Sequence, residues 1–194
     1  LLHRRFSFIL PFGFLLSGFA LLVSYLGQMN PQITPLMPVL VSPWLSIHVS
    51  LIMMSYALLA FIMLNGILAL CLRKKESENN VSGNDAVQDN RIEQLTLVSR
   101  LLLYPATFFL GAGIFLGAVW ANVSWGRYWA WDPKEVWALI TFLVYGVAFH
   151  SQSLRIFRKP LFFHIYMILA FLTVLMTYFG VNYVLGGMHS YANS

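Results

Sequence analysis

Apolar positions along this chain gather into five long runs separated by short polar or basic segments. A membrane-spanning helix needs about 20 mostly apolar residues, and the runs at about 6–26, 44–72, 101–121, 133–153 and 161–181 all qualify. None carries the one-sided periodicity of a soluble core helix. The pattern predicts an all-α fold: a polytopic transmembrane helix bundle of about five spans, forming a single membrane domain over 1–194. Arg4 and Arg5 ahead of the first run imitate a signal peptide. The run is long for such a segment and no small-x-small cleavage site follows, so it reads as a retained span. Residues 73–100 are rich in Glu, Asn, Ser, Asp and Gln and read as a solvated, mobile loop.

Composition agrees with a bilayer setting. Hydrophobic residues make up 59% of the chain and charged residues only 10%, whereas about a quarter of an ordinary soluble domain is charged. An aromatic share of 16% also excludes intrinsic disorder. The single cysteine, Cys71, excludes an internal disulfide and a Cys-x-x-Cys pair. The chain opens on Leu1, as a processed or trimmed product would.

The net charge of +5 would suit a nucleic-acid binder until the charges are placed. Arg4, Arg5, Arg73, Lys74, Lys75, Arg91, Arg100, Arg155, Arg158 and Lys159 all fall on one side of the predicted spans. Only Arg127 and Lys134 fall on the other. Lys and Arg collect on the cytoplasmic side, so the N-terminus is expected inside and the C-terminus outside. The positive balance is then an orientation signal, and no nucleic-acid partner is expected; the partner the composition requires is membrane lipid.

Three segments face outward in this scheme, and they hold the candidate chemistry. The first leads into Ser42-Pro43-Trp44, a good helix start, with His48 in the second turn. The tail runs Gly186-Gly-Met-His189-Ser-Tyr191. The middle segment, 120–137, holds five of the six Trp residues: Trp120, Trp125, Trp129, Trp131 and Trp137. An aromatic belt at the membrane interface explains one or two of these. It does not explain such a cluster interleaved with Gly126, Arg127, Tyr128 and Asp132. Flat aromatic surface with cations nearby suits a large planar anionic ligand, whose carboxylates Arg127 or Lys134 could pair. Asp132-Pro-Lys-Glu135 reads first as a capping box, with Trp131 and Val136 placed as a hydrophobic staple. On that reading the two carboxylates fix how the Trp loop meets the next helix.

An interfacial histidine is more often structural than a ligand. That expectation weakens for His48 and His189, which flank an aromatic site on one face, because imidazole is a natural axial ligand of haem iron. His150 lies deep in the fourth run and reads equally as a functional intramembrane residue or as an inner-interface one. His164 and His3 read as unremarkable residues near the inner surface.

The run Trp125-Gly-Arg-Tyr-Trp129-Ala-Trp131-Asp132-Pro-Lys-Glu135-Val-Trp137 closely resembles the WWD signature of haem-handling proteins. The Asp-Pro-Lys-Glu-x-Trp form is similar to the CcsA (ResC) family of system II cytochrome c biogenesis. The likeness extends to Trp44-Leu-Ser-Ile-His48, to Gly180-Val-Asn-Tyr and to Gly186-Gly-Met-His189-Ser-Tyr-Ala. The resemblance implies haem b in transit to the outer (periplasmic or lumenal) face of a bacterial cytoplasmic or thylakoid-type membrane. It implies a WWD site built from Trp120, Trp125, Arg127, Tyr128, Trp129, Trp131, Asp132 and Trp137. Matched by position, His48 and His189 are the axial ligands and His150 is a membrane-embedded haem-binding residue. Covalent attachment to an apocytochrome c Cys-x-x-Cys-His motif, as part of a holocytochrome c synthase, is the implied activity. A CcsB/ResB-type partner is implied as well. Relatives usually carry further spans ahead of this region, so the chain looks like the C-terminal portion of the family unit.

No residue here is an obvious nucleophile and none is required, since the substrate brings its own thiols. The alternatives are a CcmC-like protein that loads a haem chaperone, a transporter subunit whose Trp cluster is only a belt, and a fixed b-type electron carrier. The last would pair histidines within the bilayer, whereas His48 and His189 both read as outer.

Overall fold

The computed structural model describes residues 13–14, 17–18, 43–79, 85–150 and 153–185. The chain divides into a unit Leu1–Val41 and a unit Ser42–Ser194; the architecture below is that of the second. The first predicted span, about 6–26, lies almost wholly outside the described residues, and the positions described within it, 13–14 and 17–18, are helical. All described regular structure is helical.

Helix α1 runs Pro43–Asn79 and α2 runs Asp85–Trp125. Helix α3, Pro133–Val147, continues into a 3₁₀ turn at Ala148–His150. A second 3₁₀ turn, Arg155–Arg158, leads to α4, Pro160–Leu175, which passes into a π-helical segment, Met176–Leu185. Among the described residues, three helices are long and apolar enough to cross a membrane: Pro43–Arg73, Asp89–Trp125 and Pro160–Val181. They coincide with the second, third and fifth predicted spans. Helix α3 and its 3₁₀ turn together rise about 28 Å, close to the thickness of a hydrocarbon core.

The polar segment 73–100 is not the loop its composition suggested. Helix α1 persists to Asn79, and α2 has already begun at Asp85. The reason lies in the spacing of its apolar and small residues. Ile92, Leu95, Thr96 and Ser99 are buried at a three-and-four spacing that continues into Leu103 and Ala106. Much of the polarity of 89–100 therefore belongs to the exposed face of a helix.

Cross-helix hydrogen bonds give the topology. His48 Nδ1 meets the Gly113 carbonyl at 2.7 Å, Ser55 Oγ donates to the Ala106 carbonyl at 2.8 Å, and Asn65 Nδ2 donates to Ser99 Oγ at 3.1 Å. Rising numbers on α1 meet falling numbers on α2, so the two are antiparallel. Tyr166 Oη donates to the Val144 carbonyl at 2.7 Å, and the Thr141 and Thr177 hydroxyls lie 3.1 Å apart, so α3 and α4 are antiparallel too. Leu59, Ile62, Leu103, Tyr145, Phe163 and Met167 fill the core between them. Leu101, Phe108, Phe115, Leu143 and Leu172 point outward, as a surface facing lipid would. This is an integral membrane protein built as a helical bundle.

A common end therefore gathers the start of α1, the end of α2, the start of α3 and the π-helical segment. Arg127 and Lys134 lie at that end. Arg91, Arg100, Arg155, Arg158 and Lys159 lie toward the opposite one.

Candidate functional site

The loop from α2 to α3 is shaped by its own sequence. Gly126 adopts φ +71°, which suits a residue without a side chain, and Trp131 adopts φ +58°. Asp132 then caps α3, with Pro133 at the first helical position and a complete capping box. Glu135 Oε2 accepts from the backbone N–H of Ala130 at 2.8 Å and of Asp132 at 3.2 Å. Asp132 is buried and accepts from the Lys134 N–H at 3.2 Å. The capping role expected for both carboxylates is present, and it clamps the segment that presents Trp129 and Trp131. Trp131 itself is 74% exposed, and its ring packs edge-on to Trp129 at 6.0 Å.

Beside this loop is a cavity of about 260 Å³. His48, Ile52 and Tyr56 line it from α1, Gly117 and Trp120 from α2, Tyr128 and Trp129 from the loop, Lys134 and Glu135 from α3, and Thr177 and Tyr178 from the π-helical segment. Trp120 is buried and holds Trp125 edge-on at 4.9 Å. The structure thus brings His48, Trp120, Tyr128 and Trp129 together. Trp125 and Trp131 stand behind two of them. Arg127 is exposed and does not line the cavity, and Trp137 sits on α3 outside its lining, its carbonyl accepting from Thr141. His189, with the Gly186-Gly187 turn, lies outside the described residues, as does His3.

The His48 ring is held from two sides. A carbonyl only accepts, so Nδ1 carries the proton donated to Gly113. That makes Nε2 the lone-pair nitrogen, the tautomer an iron ligand needs. On the other side a Cβ at Gly117 would stand 2.7 Å from His48 Cε1, and one at Gly113 would stand 2.6 Å from Ile52 Cδ1. The Gly113-Ile-Phe-Leu-Gly117 spacing is the small-x-x-x-small pattern by which membrane helices approach closely. It was visible in the sequence as a sign that this stretch of α2 lies close against another helix. Tyr56, Thr177 and Tyr178 escaped the sequence reading because each lies inside an apolar run with no local signal. The π-helical geometry at 176–185 is a frequent mark of functional sites.

His150 does not join this cavity. It lies at the far end of α3, about 24 Å along the helix axis from Lys134. There it borders a groove of about 560 Å³ between α2 and α3, walled by Phe108, Phe142, Leu143 and Phe149. It is exposed, and its Nδ1 donates to the Gly146 carbonyl at 3.2 Å, so its Nε2 is again the lone-pair nitrogen. His164 lies in the first turns of α4, near the end expected for it, but inside the bundle. It is fully buried among α1, α2 and α4, with Nε2 2.9 Å from Thr96 Oγ1. Among the described residues no group of three His, Cys, Asp or Glu could hold a bare metal ion. Among the described residues one imidazole, that of His48, faces the cavity, a donor that suits an iron already held in a macrocycle better than a bare ion.

The profile of the family described as Cytochrome C assembly protein matches residues 2–189. The chain belongs to the cytochrome c assembly protein family. It is 40% identical over 192 residues to Protein NrfI of Wolinella succinogenes, covering 99% of this chain and 21% of that protein. It is 39% identical over 187 residues to the cytochrome c biogenesis protein CcsA of Chlamydomonas reinhardtii, covering 95% of this chain and 50% of the relative. For the CcsA of Pyropia yezoensis the identity is 34% over 218 residues, with coverages of 94% and 67%. The chain thus spans about a fifth and a half of the length of the first two. The family resemblance carried by the Trp-rich run is met, and Tyr128, Trp129, Lys134 and Glu135 of that run line the cavity of this cytochrome c assembly protein.

Proposed function

We propose that the chain carries haem to the outer face of its membrane and holds it there for covalent attachment to apocytochrome c. The observation that carries this reading is the His48 imidazole, its tautomer fixed by Gly113, opening on a cavity walled by Trp120, Tyr128 and Trp129. Haem is the cargo, His48 supplies one axial nitrogen and His189 the other. The apolar helix positions and aromatic rings beside His48 would cover the part of the macrocycle nearest that imidazole. His150, beside its groove on the opposite half of the bundle, is a transit ligand. The cavity end is the outer one, because the arginines and lysines concentrate at the other.

The chemistry asks little of the protein's own side chains. Each substrate thiol adds across one vinyl group, breaking S–H and forming C–S and C–H with no net change in electrons. The site contributes by positioning, which can supply much of such a barrier. Apocytochrome c is the acceptor, and a CcsB/ResB-type membrane partner completes the machinery, in keeping with the greater length of the relatives.

The test is the visible spectrum of the purified protein, oxidised and reduced. A six-coordinate bis-imidazole spectrum is expected. His48→Ala and His189→Ala should each lose it and stop cytochrome c assembly, with partial recovery on adding imidazole. His150→Ala should lower total haem while leaving the residual spectrum unchanged. Wild-type spectra and normal assembly in both axial variants would overturn the assignment.

A further inference from the structure

Two cations compete in the sequence for the carboxylates of a planar ligand, and the fold separates them. Arg127 follows the turn at Gly126 and is exposed outside the cavity. Lys134 occupies the second position of α3, is partly buried, and lines the cavity with His48, Trp129 and Glu135. It is the one cation among the described lining residues. The lining carboxylate, Glu135, does not make the site hostile to an anion. Its Oε2 receives the N–H groups of Ala130 and Asp132, which disperse its charge into the loop backbone. The Asp132 carboxylate accepts the Lys134 N–H at the helix start, and its charge also faces the Lys134 ammonium, so a ligand carboxylate would join a contact already made there.

We propose that Lys134 is the carboxylate-binding residue of the cavity, a role that rests on the haem reading and names the part of the ligand it seizes. An ammonium is a compact charge with three rotating donors, so it can meet a carboxylate without a fixed fork geometry. Hydrogen bonds between ionised groups are about twice as strong as neutral ones, and the half-buried setting limits competition from water. Lys134 is bonded through its own backbone to the loop that carries Trp129. Seating a carboxylate there therefore registers the macrocycle against the aromatic wall and His48 at once. The ligand class is a planar macrocycle with at least one free carboxylate.

The test compares ferric haem with its dimethyl ester, which keeps the iron and ring but lacks both carboxylates. Each is titrated into the detergent-purified protein and read by its Soret band. The wild type is expected to prefer haem by about tenfold, the scale of one charge-assisted hydrogen bond. Lys134→Gln should lose that preference by weakening haem alone, with ester binding intact as proof that the cavity still forms. Lys134→Arg should restore most of the preference, and Arg127→Gln should retain it. The proposal is overturned if Lys134→Gln keeps the preference, if it weakens both probes alike, or if Arg127→Gln abolishes the preference. A wild type that binds both probes equally sinks the carboxylate role and leaves the haem reading standing. A wild type with no Soret band for either overturns the haem reading beneath it.

Discussion

His48 and His164 are both held against α2, yet their surroundings fix the two rings in opposite ways. Thr96 directs its hydroxyl proton to the Ile92 carbonyl at 2.8 Å, so the 2.9 Å contact with His164 must be donated by Nε2–H. His164 therefore has the reverse tautomer of His48, with its proton on the nitrogen that a ligand would need. Space differs as much as protonation. His48 faces a cavity, while His164 has no exposed surface and lies against Phe163, with the Arg100 guanidinium over that ring at 5.1 Å. Arg100 also donates to the Phe157 carbonyl at 2.6 Å, tying α2 to the turn before α4. The contrast teaches that a histidine in a membrane bundle is read from which nitrogen its neighbours occupy, and only then from its depth.

Exchanging the two phenotypes gives the largest expected effects. His164→Ala removes a buried ring and its hydrogen bond, and should cost about 2–4 kcal/mol of stability, the range for large-to-small core changes. Haem per folded molecule should stay unchanged. His48→Ala should do the reverse, stripping haem while costing only about 1 kcal/mol of stability for its lost hydrogen bond. Parallel denaturation and haem assays check both, and a stable His164→Ala protein depleted of haem would erase the distinction.

Gly117→Ala probes the same contrast from the helix side. The added Cβ meets the His48 ring at 2.7 Å, so the imidazole must move. Haem affinity should fall about ten- to a hundredfold, as it does when groups that orient a metal ligand are lost. Gly66→Ala, whose Cβ would face the His164 carbonyl at 3.1 Å, should lower stability and leave haem affinity alone. Equal haem loss in the two variants would show that the effect is general packing damage.

The smallest effect is expected at the loop. Asp132→Ala should cost about 1 kcal/mol through the lost helix cap. Asp132→Asn should recover most of that, because Asn caps as well as Asp. If the Asn variant loses haem as fully as Ala does, the carboxylate's charge matters and not its capping geometry.

Much of this was legible in the sequence where the signal is local. The Asp132-to-Glu135 cap is written in adjacent residues, and the start of α1 is announced by Ser42-Pro43. The spans at 44–72 and 161–181 follow from apolar length alone. The segment 73–100 was misread because polarity reports solvent contact, while the helix is encoded in the sparse positions Ile92, Leu95, Thr96 and Ser99. The choice between Arg127 and Lys134 was open because the backbone reverses at Gly126 and turns again at Trp131 before α3 begins. Only the folded loop fixes which cation turns inward. The burial of His164 was not legible because the residues just before it are basic. Its burial depends on Thr96 and Gly66 from two other helices.

The grip on His48 has a mechanical consequence. Its ring is anchored to one carbonyl of α2 and seated over a bare stretch of that same helix one turn away. The imidazole's position is thus set by the spacing of two membrane helices, with little left to its own side-chain rotation. Bilayer thickness and lateral pressure act on helix spacing, so changes in lipid composition would shift how far the imidazole reaches into the cavity through the α1–α2 seam.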